Sequence, residues 1–428
     1  MKILYSISIY CLILIIRLAA LFNSKAHQAI SGRKNWRKQL KDKLSNNTAP
    51  IIWFHVSSLG EFEQARPLII QIKTSYPHYK ILLTFFSPSG FNARKNFEYA
   101  DYVFYLPYDI PQNANDFIDI VKPSIVIFVK YEFWLNFLFT LKEKKEQYNI
   151  KCFLISSIFR KHQPFFKWYG SIFIDALKVF DKIFVQDELS LRLLKKINFE
   201  NDIVLAGDTR IDRVIEIAQQ EVNFHEIKAF CQSHKIIIAG STWYPDEKLL
   251  IPVWAKLKQS ISNIRFIIAP HQVEEKNIQK LIQLFEKYQL TYLRYTQIEK
   301  NNTQLNSVDV LIIDTIGILN KIYRFAHIAY IGGGFSDGIH SILEPAVYGL
   351  PVIFGKKYQK FYEAVELIKL KGAFSIQNEE EVFIIFHQLI NNKEFYHSAQ
   401  KSIISFIDAH KGATFKTLNV LNNYIHHS

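Results

Sequence analysis

A chain of 428 residues that is 49% hydrophobic has material for two cores of ordinary domain size, and its net charge of +13 points to an anionic partner. Cys11, Cys152 and Cys231 are too few and too widely spaced for a disulfide framework or a zinc cluster, which fits a reducing compartment. The sequence carries no zinc-finger spacing, aromatic-basic RNA-binding pattern or recognition-helix signature, so nucleic acid is not the expected partner.

The first element, Ile3 to Phe22, is a 20-residue apolar run broken only by Arg17. That length crosses a bilayer, and no clear small-residue cleavage pattern accompanies it, so residues 1–22 are expected to be an uncleaved membrane anchor. A buried helix, or one lying purely in the interface, is the alternative. From Asn23 to Leu44 seven cations, Lys25, Arg33, Lys34, Arg37, Lys38, Lys41 and Lys43, stand against one acid, Asp42. This basic juxtamembrane segment, 23–44, places the rest of the chain in the cytoplasm by the positive-inside rule and next to an anionic membrane surface.

Seven short β-branched or aromatic runs follow: IIWFHV (51–56), KILLTFF (80–86), YVFYL (102–106), SIVIFV (124–129), KCFLISS (151–157), KIFVQ (182–186) and DIVLAG (202–207). Continuous apolar strands separated by helical stretches read as a parallel sheet covered on both faces. This gives a first doubly wound α/β domain over 45–211. Residues 212–235 are polar and helical and read as a linker. A second series, KIIIAGS (235–241), IRFIIAP (264–270), LTYLRY (290–295), VDVLIID (308–314), IAYIGGG (328–334) and LPVIFG (350–355), gives a second such domain over 236–428, ending in helices. The fold class is therefore α/β, two Rossmann-like domains facing a cleft, with ligands expected beyond the carboxyl ends of the strands.

The chemistry is sought in the loops at those ends. HVSSLGEFE (55–63) puts Glu61 and Glu63 at the start of a helix, where an acid is either a capping charge or a base. Lys130, Glu132 and Arg210 sit at or just past strand ends, and as surface charges they would look the same. In IGGGFSDGIHSILEPAVYGLPVIFG (331–355) glycines let backbone N–H groups approach a phosphate. A helix is expected to begin there near His340 or Ser341, with Glu344 in its first turns. The loop AGSTWYPDE (239–247) offers the Ser241 and Thr242 hydroxyls. APHQVEE (269–275) places His271 after a strand, and DTIGIL (314–319) adds a turn able to meet a base edge. FRKHQPFFKWYG (159–170) is either an exposed loop or a membrane or acceptor contact.

Taken in order, HVSSLGE, YLPYDIP, YEFWLN, AGSTW and GGGFSDGIHSILEPAVYGLPVIFG resemble the motifs of the Kdo transferase family, over nearly the whole chain. The resemblance implies a GT-B glycosyltransferase that moves 3-deoxy-D-manno-octulosonic acid (Kdo) from CMP-Kdo to a lipid A precursor in lipopolysaccharide biosynthesis. It implies catalytic domains on the cytoplasmic face of the inner membrane. It also implies Glu61 as catalytic base and Arg210 at the position of a transition-state Lys. Pro270, His271, Gly317, Ile318, Leu319, Ser341, Ile342, Leu343 and Glu344 match CMP-binding segments, and Gly333 and Gly334 belong to the glycine loop. Many relatives have an acid at Lys130, a Glu at Ile318 and an Asn at Ser341; a cation at Lys130 is suited to pair with phosphate or the Kdo carboxylate. No acidic pair has metal spacing, so neither metal nor cofactor is expected. Two other classes share the architecture: a nucleotide-sugar epimerase, and a non-catalytic membrane-surface protein that binds nucleotide sugars.

Overall fold

The computed structural model describes residues 2–197, 199, 202–298, 305 and 307–425. The chain divides into two units, Met1–Arg213 with Lys411–Ser428, and Val214–His410.

In the first unit seven parallel strands form one sheet. They are β1 (Ile51–Val56), β2 (Lys80–Phe85), β3 (Tyr102–Tyr105), β4 (Ile125–Val129), β5 (Lys151–Ser157), β6 (Lys182–Val185) and β7 (Asp202–Leu205), in spatial order β3-β2-β1-β4-β5-β6-β7. Successive side chains point to opposite faces. Trp53, Leu82, Val126 and Phe128 enter one core, whereas Ile52, Phe54, Leu83 and Ile127 enter the other. Both faces are thus buried, which is why these strands read as unbroken apolar runs.

The second unit repeats the plan. Its strands are β8 (Lys235–Thr242), β9 (Ile264–Pro270), β10 (Tyr292–Arg294), β11 (Val310–Ile312), β12 (Ile328–Ile331), β13 (Val352–Gly355) and β14 (Ala373–Ile376), in order β10-β11-β9-β8-β12-β13-β14. The six expected runs are all strands. The seventh, β14, is an edge strand of four residues, AFSI, with a serine in its middle, and its pattern is too short to stand out.

Three segments differ from the sequence reading. The basic juxtamembrane segment 23–44 is built into the first unit: it forms α2 (Ser24–Ser31) and α3 (Trp36–Leu44), and Trp36 and Leu40 enter the first unit's core. Arg33 is buried, donating to the carbonyls of Leu106, Ala29 and Phe86 and lying against the rings of Phe86, Tyr105 and Tyr108. In FRKHQPFFKWYG, Phe159 and Phe165 are core, whereas Trp168 stands out at 95% exposure. Lastly, the helix Ala413–Ile425, expected with the second domain, packs Leu421 and Ile425 into the first unit.

The expected anchor is the helix α1 (Lys2–Ala19), long and apolar enough by length and composition to cross a membrane; Met1 lies outside the described residues.

Candidate functional site

At the carboxyl end of β1 the chain turns through Ser57 and Ser58 into α4 (Leu59–Ser75). Glu61 is the third residue of α4 and closes a capping box: its Oε2 accepts the backbone N–H groups of Ser57 (2.6 Å) and Ser58 (3.3 Å), and its own N–H donates to Ser58 Oγ. Burial, then the nearby Glu132 charge, pushes the Glu61 carboxyl up to about 8, against the opposing pull of the Ser57 N–H, Lys130 and the Ser58 N–H. Glu63 faces elsewhere, paired with Arg94 at 3.0 Å.

Glu132 is itself buried and held by a chain that begins inside the sheet. The Trp53 indole donates to Thr84 Oγ1 (2.8 Å), the Thr84 hydroxyl lies 2.9 Å from His55 Nδ1, and His55 Nε2 lies 3.0 Å from Glu132 Oε2. The Thr84 hydroxyl also donates to Phe54 O (3.3 Å), and in the Nε2–H tautomer the His55 ring donates to the carboxylate. The Trp134 indole donates to the same oxygen at 2.5 Å. His55 is fully buried.

Lys130 ends β4 with φ of +64°, the left-handed region that a residue with a side chain occupies only when its surroundings hold it there. Its N–H continues the ladder to Ile155 O (2.9 Å), and its charge lowers the carboxyls of both Glu61 and Asp208. Arg210, in the first turn of the helix Thr209–Gln219, grips Asp208 Oδ2 through Nε (2.8 Å) and Nη2 (2.5 Å). Burial pushes the Asp208 carboxyl up, but Arg210 and Lys130 more than offset this and hold it low. The Tyr131 phenol feels the charges of Arg160, Asp187, Glu61 and Arg210 together. Glu61, Lys130 and Arg210 therefore share one electrostatic environment at the carboxyl end of the first sheet.

In the second unit, the loops after β8 and β12 are drawn together by one carboxylate. Asp246 Oδ2 accepts the N–H groups of Trp243 and Gly333, both at 2.9 Å, and Oδ1 accepts the Tyr330 hydroxyl at 2.8 Å. A Cβ on Gly332 would stand 2.3 Å from Ser241 O, so the close approach of the two loops requires glycine. Gly333 has φ of +92°, and a Cβ on Gly334 would strike the backbone of Gly355 at the end of β13. Ser241, half-buried at φ +53°, ends its strand beside these glycines. Thr242 turns inward: its hydroxyl donates to Glu247 Oε1 (3.1 Å), whose carboxyl burial pushes up to about 7. Pro270 is buried beside Thr242, and His271 N–H donates to Thr242 O.

Three flat side chains then stack. His271 packs face-on against both Trp243 and His340, with ring centroids 4.7 and 4.4 Å away, while Trp243 and His340 lie nearly parallel with centroids 6.5 Å apart. His340 Nε2 accepts the Trp243 indole N–H (3.1 Å), and burial, with His271 next to it, pushes His340 down to about 4, so its ring is neutral at physiological pH. Gly317 (φ +94°) and Ile318 form an exposed turn beyond β11, and Leu319 reaches back toward Gly240. The expected helix after the glycine loop is short, Leu343–Ala346, and starts later than His340 or Ser341. Ser341 is exposed, Ile342 and Leu343 bury their side chains, and Glu344 is half-buried where its charge reaches Tyr323 and Tyr348.

His55, Trp243, Asp246 and His340 escaped the sequence reading. His55 sits inside an apolar strand run and Asp246 at an ordinary helix start, so neither departs from its local pattern. The AGSTW and GIHS motifs held Trp243 and His340 in view, and the stack appears only when three distant loops meet.

The family model of 3-deoxy-D-manno-octulosonic-acid transferase (kdotransferase) matches residues 34–213. A 3-deoxy-D-manno-octulosonic acid transferase of Aquifex aeolicus is 26% identical over 85% of this chain and 92% of its own length. A bifunctional glycosyltransferase/methyltransferase of Fusobacterium nucleatum is 26% identical over 84% of this chain, which spans only 55% of that relative. Among solved structures, a glycosyltransferase from Rickettsia africae covers 89% of this chain and 100% of its own, at 13% identity and a TM-score of 0.55, a likeness of fold. Two parallel-sheet α/β domains of the GT-B type underlie this likeness: the family match covers the first domain, and the similarity to Kdo transferases runs along most of the chain.

Proposed function

We propose that the protein is an inverting glycosyltransferase that moves Kdo from CMP-Kdo to a lipid A precursor, with Glu61 as general base. The observation that carries this reading is a buried carboxyl at a strand's carboxyl end, fixed by two backbone N–H groups and raised to about 8. A base works best when its pKa lies near the working pH. In the reaction the acceptor hydroxyl oxygen attacks the anomeric carbon of Kdo, and its proton passes to Glu61. The bond from that carbon to the CMP phosphate oxygen breaks, and CMP leaves with the electron pair. Lys130 and Arg210 supply positive charge to the Kdo carboxylate and to the developing negative charge.

On the donor side, the glycine loop offers backbone N–H groups to the phosphate, and the Trp243–His271–His340 stack offers a flat apolar edge to the cytosine ring. Ser241, Pro270, the Gly317–Leu319 turn and Ser341–Glu344 complete the CMP site. The protein works at the cytoplasmic face of the inner membrane, where its lipid acceptor resides.

The test is transfer from CMP-Kdo to tetraacylated lipid A precursor. Glu61→Gln and Glu61→Ala are expected to lower kcat by roughly 100-fold or more while leaving CMP-Kdo affinity within about twofold. Transfer at the native rate by either variant removes Glu61 from the mechanism. Product formation by the native enzyme from UDP-sugars in place of CMP-Kdo would instead favour an epimerase-like use of the fold.

A further inference from the structure

A helix that spans a bilayer carries one of its ends away from the cytoplasmic domain by the whole hydrocarbon thickness, about 30 Å. At 1.5 Å per residue the 18 residues of α1 make about 27 Å, enough for that journey. Yet both ends of α1 touch the first unit. At the start of the helix, the Tyr5 hydroxyl donates to Asp109 Oδ2 (2.6 Å) and lies 3.3 Å from the Leu135 N–H, Ser6 Oγ donates to Asn136 Oδ1 (3.0 Å), and Lys2 Nζ stands over the Phe139 ring at 3.8 Å. At the other end, Arg17 lines a basic pocket of about 680 Å3 with Arg33, Lys34, Lys38 and Tyr108.

Between these ends one stripe faces the domain: Tyr5, Ser6, Ile9, Ile13 and Ile16 are half-buried or buried, at helical spacing. The opposite side is apolar and bare, with Ile3, Leu4, Leu14, Ile15 and Leu18 each more than half exposed and Phe22 93% exposed. The partner on the protein side is polar and rigid. Asp109, 1% exposed, also accepts the Asn136 and Phe137 N–H groups, so the Tyr5 hydroxyl completes a buried carboxylate's shell. Carrying that end of α1 across a membrane would strip this shell of its Tyr5 donor.

We propose that α1 lies in the plane of the membrane, docked lengthwise on the first unit, with its bare face sunk into an anionic lipid surface. Charge selects the lipid surface over a second copy of the chain. At the C-terminal end of α1, Arg17 shares its pocket with Lys34 and Lys38, all exposed, and these charges repel an identical patch and complement anionic headgroups. The inference stands apart from the proposed reaction, since it concerns only how the first unit meets a bilayer.

The test uses the full chain with Cys11 and Cys231 replaced by serine, and with Leu4→Cys or Leu18→Cys carrying a nitroxide. Both probes sit on the bare face, so the substitutions leave the docked stripe intact. On vesicles of phosphatidylcholine and phosphatidylglycerol, both are expected at the same depth, about 5–10 Å below the headgroups. Binding is expected to weaken at least about tenfold on phosphatidylcholine alone. A Leu4 probe that reaches the far leaflet while Leu18 stays near overturns the proposal in favour of a span. Probes shielded from lipid in a dimer overturn it in favour of self-association, and binding indifferent to lipid charge overturns the anionic surface.

Discussion

Glu61 answers two demands with one carboxylate. As the capping-box acid of α4 it accepts the Ser57 and Ser58 N–H groups, which hold its side chain in one rotamer. As the proposed base it must give up its proton near neutral pH, and the same hydrogen bonds that hold it also favour the charged form. Burial and Glu132 act the other way and win, leaving the group near 8. The balance can be moved through Glu132. In Glu132→Gln the His55 and Trp134 donors keep an oxygen to bind, while the negative charge beside Glu61 disappears. The base acts ionised, so activity rises as pH climbs through its pKa, and a lower pKa moves that rise to lower pH. The acidic limb of the kcat/KM profile is expected to shift down by about one unit. A limb that stays in place, with the fold intact, separates Glu132 from the tuning of Glu61.

At the scale of elements, legibility followed burial. Strands covered on both faces have no choice but to be apolar throughout, and so IIWFHV or IRFIIAP announce themselves. The edge strand β14 is under no such demand and was hidden. The glycine loop was legible as a loop, but its reason was only half visible: Gly332 is required because Ser241 O comes within 2.3 Å of where a Cβ would be, a contact between residues 91 positions apart. Asp246 is the counterpart of those glycines, since it ties Trp243, Gly333 and Tyr330 into one cluster. Asp246→Ala leaves three buried donors unpaired and is expected to cost the second unit about 2–4 kcal/mol. Asp246→Asn, which keeps an acceptor for the two N–H groups, is expected to cost less than half as much. Hydrogen exchange at the Gly333 amide reads the loop directly: protection should fall in the alanine variant and largely survive in the asparagine one.

At the scale of the whole molecule, the chain does not finish where its second sheet does. After the helix Lys393–His410 it returns to the first unit, and Asp212 receives it there, accepting the Gly412 and Thr414 N–H groups at 2.6 Å each. The helix Ala413–Ile425 then lays Leu421 and Ile425 on the core that holds Phe54, Leu83 and Phe153, Tyr424 stacks edge-on against Phe153, and the Tyr79 hydroxyl donates to Ile425 O. Nothing in the local sequence marks this return, because an amphipathic helix looks the same whichever core it covers. Its energetic consequence is specific. Removing residues 412–428 takes away two buried aliphatic side chains, Leu421 and Ile425, each stabilising by about 1.5–3 kcal/mol, and the aromatic contact of Tyr424 besides. That is a large share of a domain's usual stability of about 5–15 kcal/mol. The truncated protein is expected to lose protection in β1, β2 and β5 of the first unit while the amides of β8, β9 and β12 in the second exchange as before. Equal loss in both sheets would mean that the helix stabilises the molecule as one cooperative body, and equal protection would mean that the first unit holds without it.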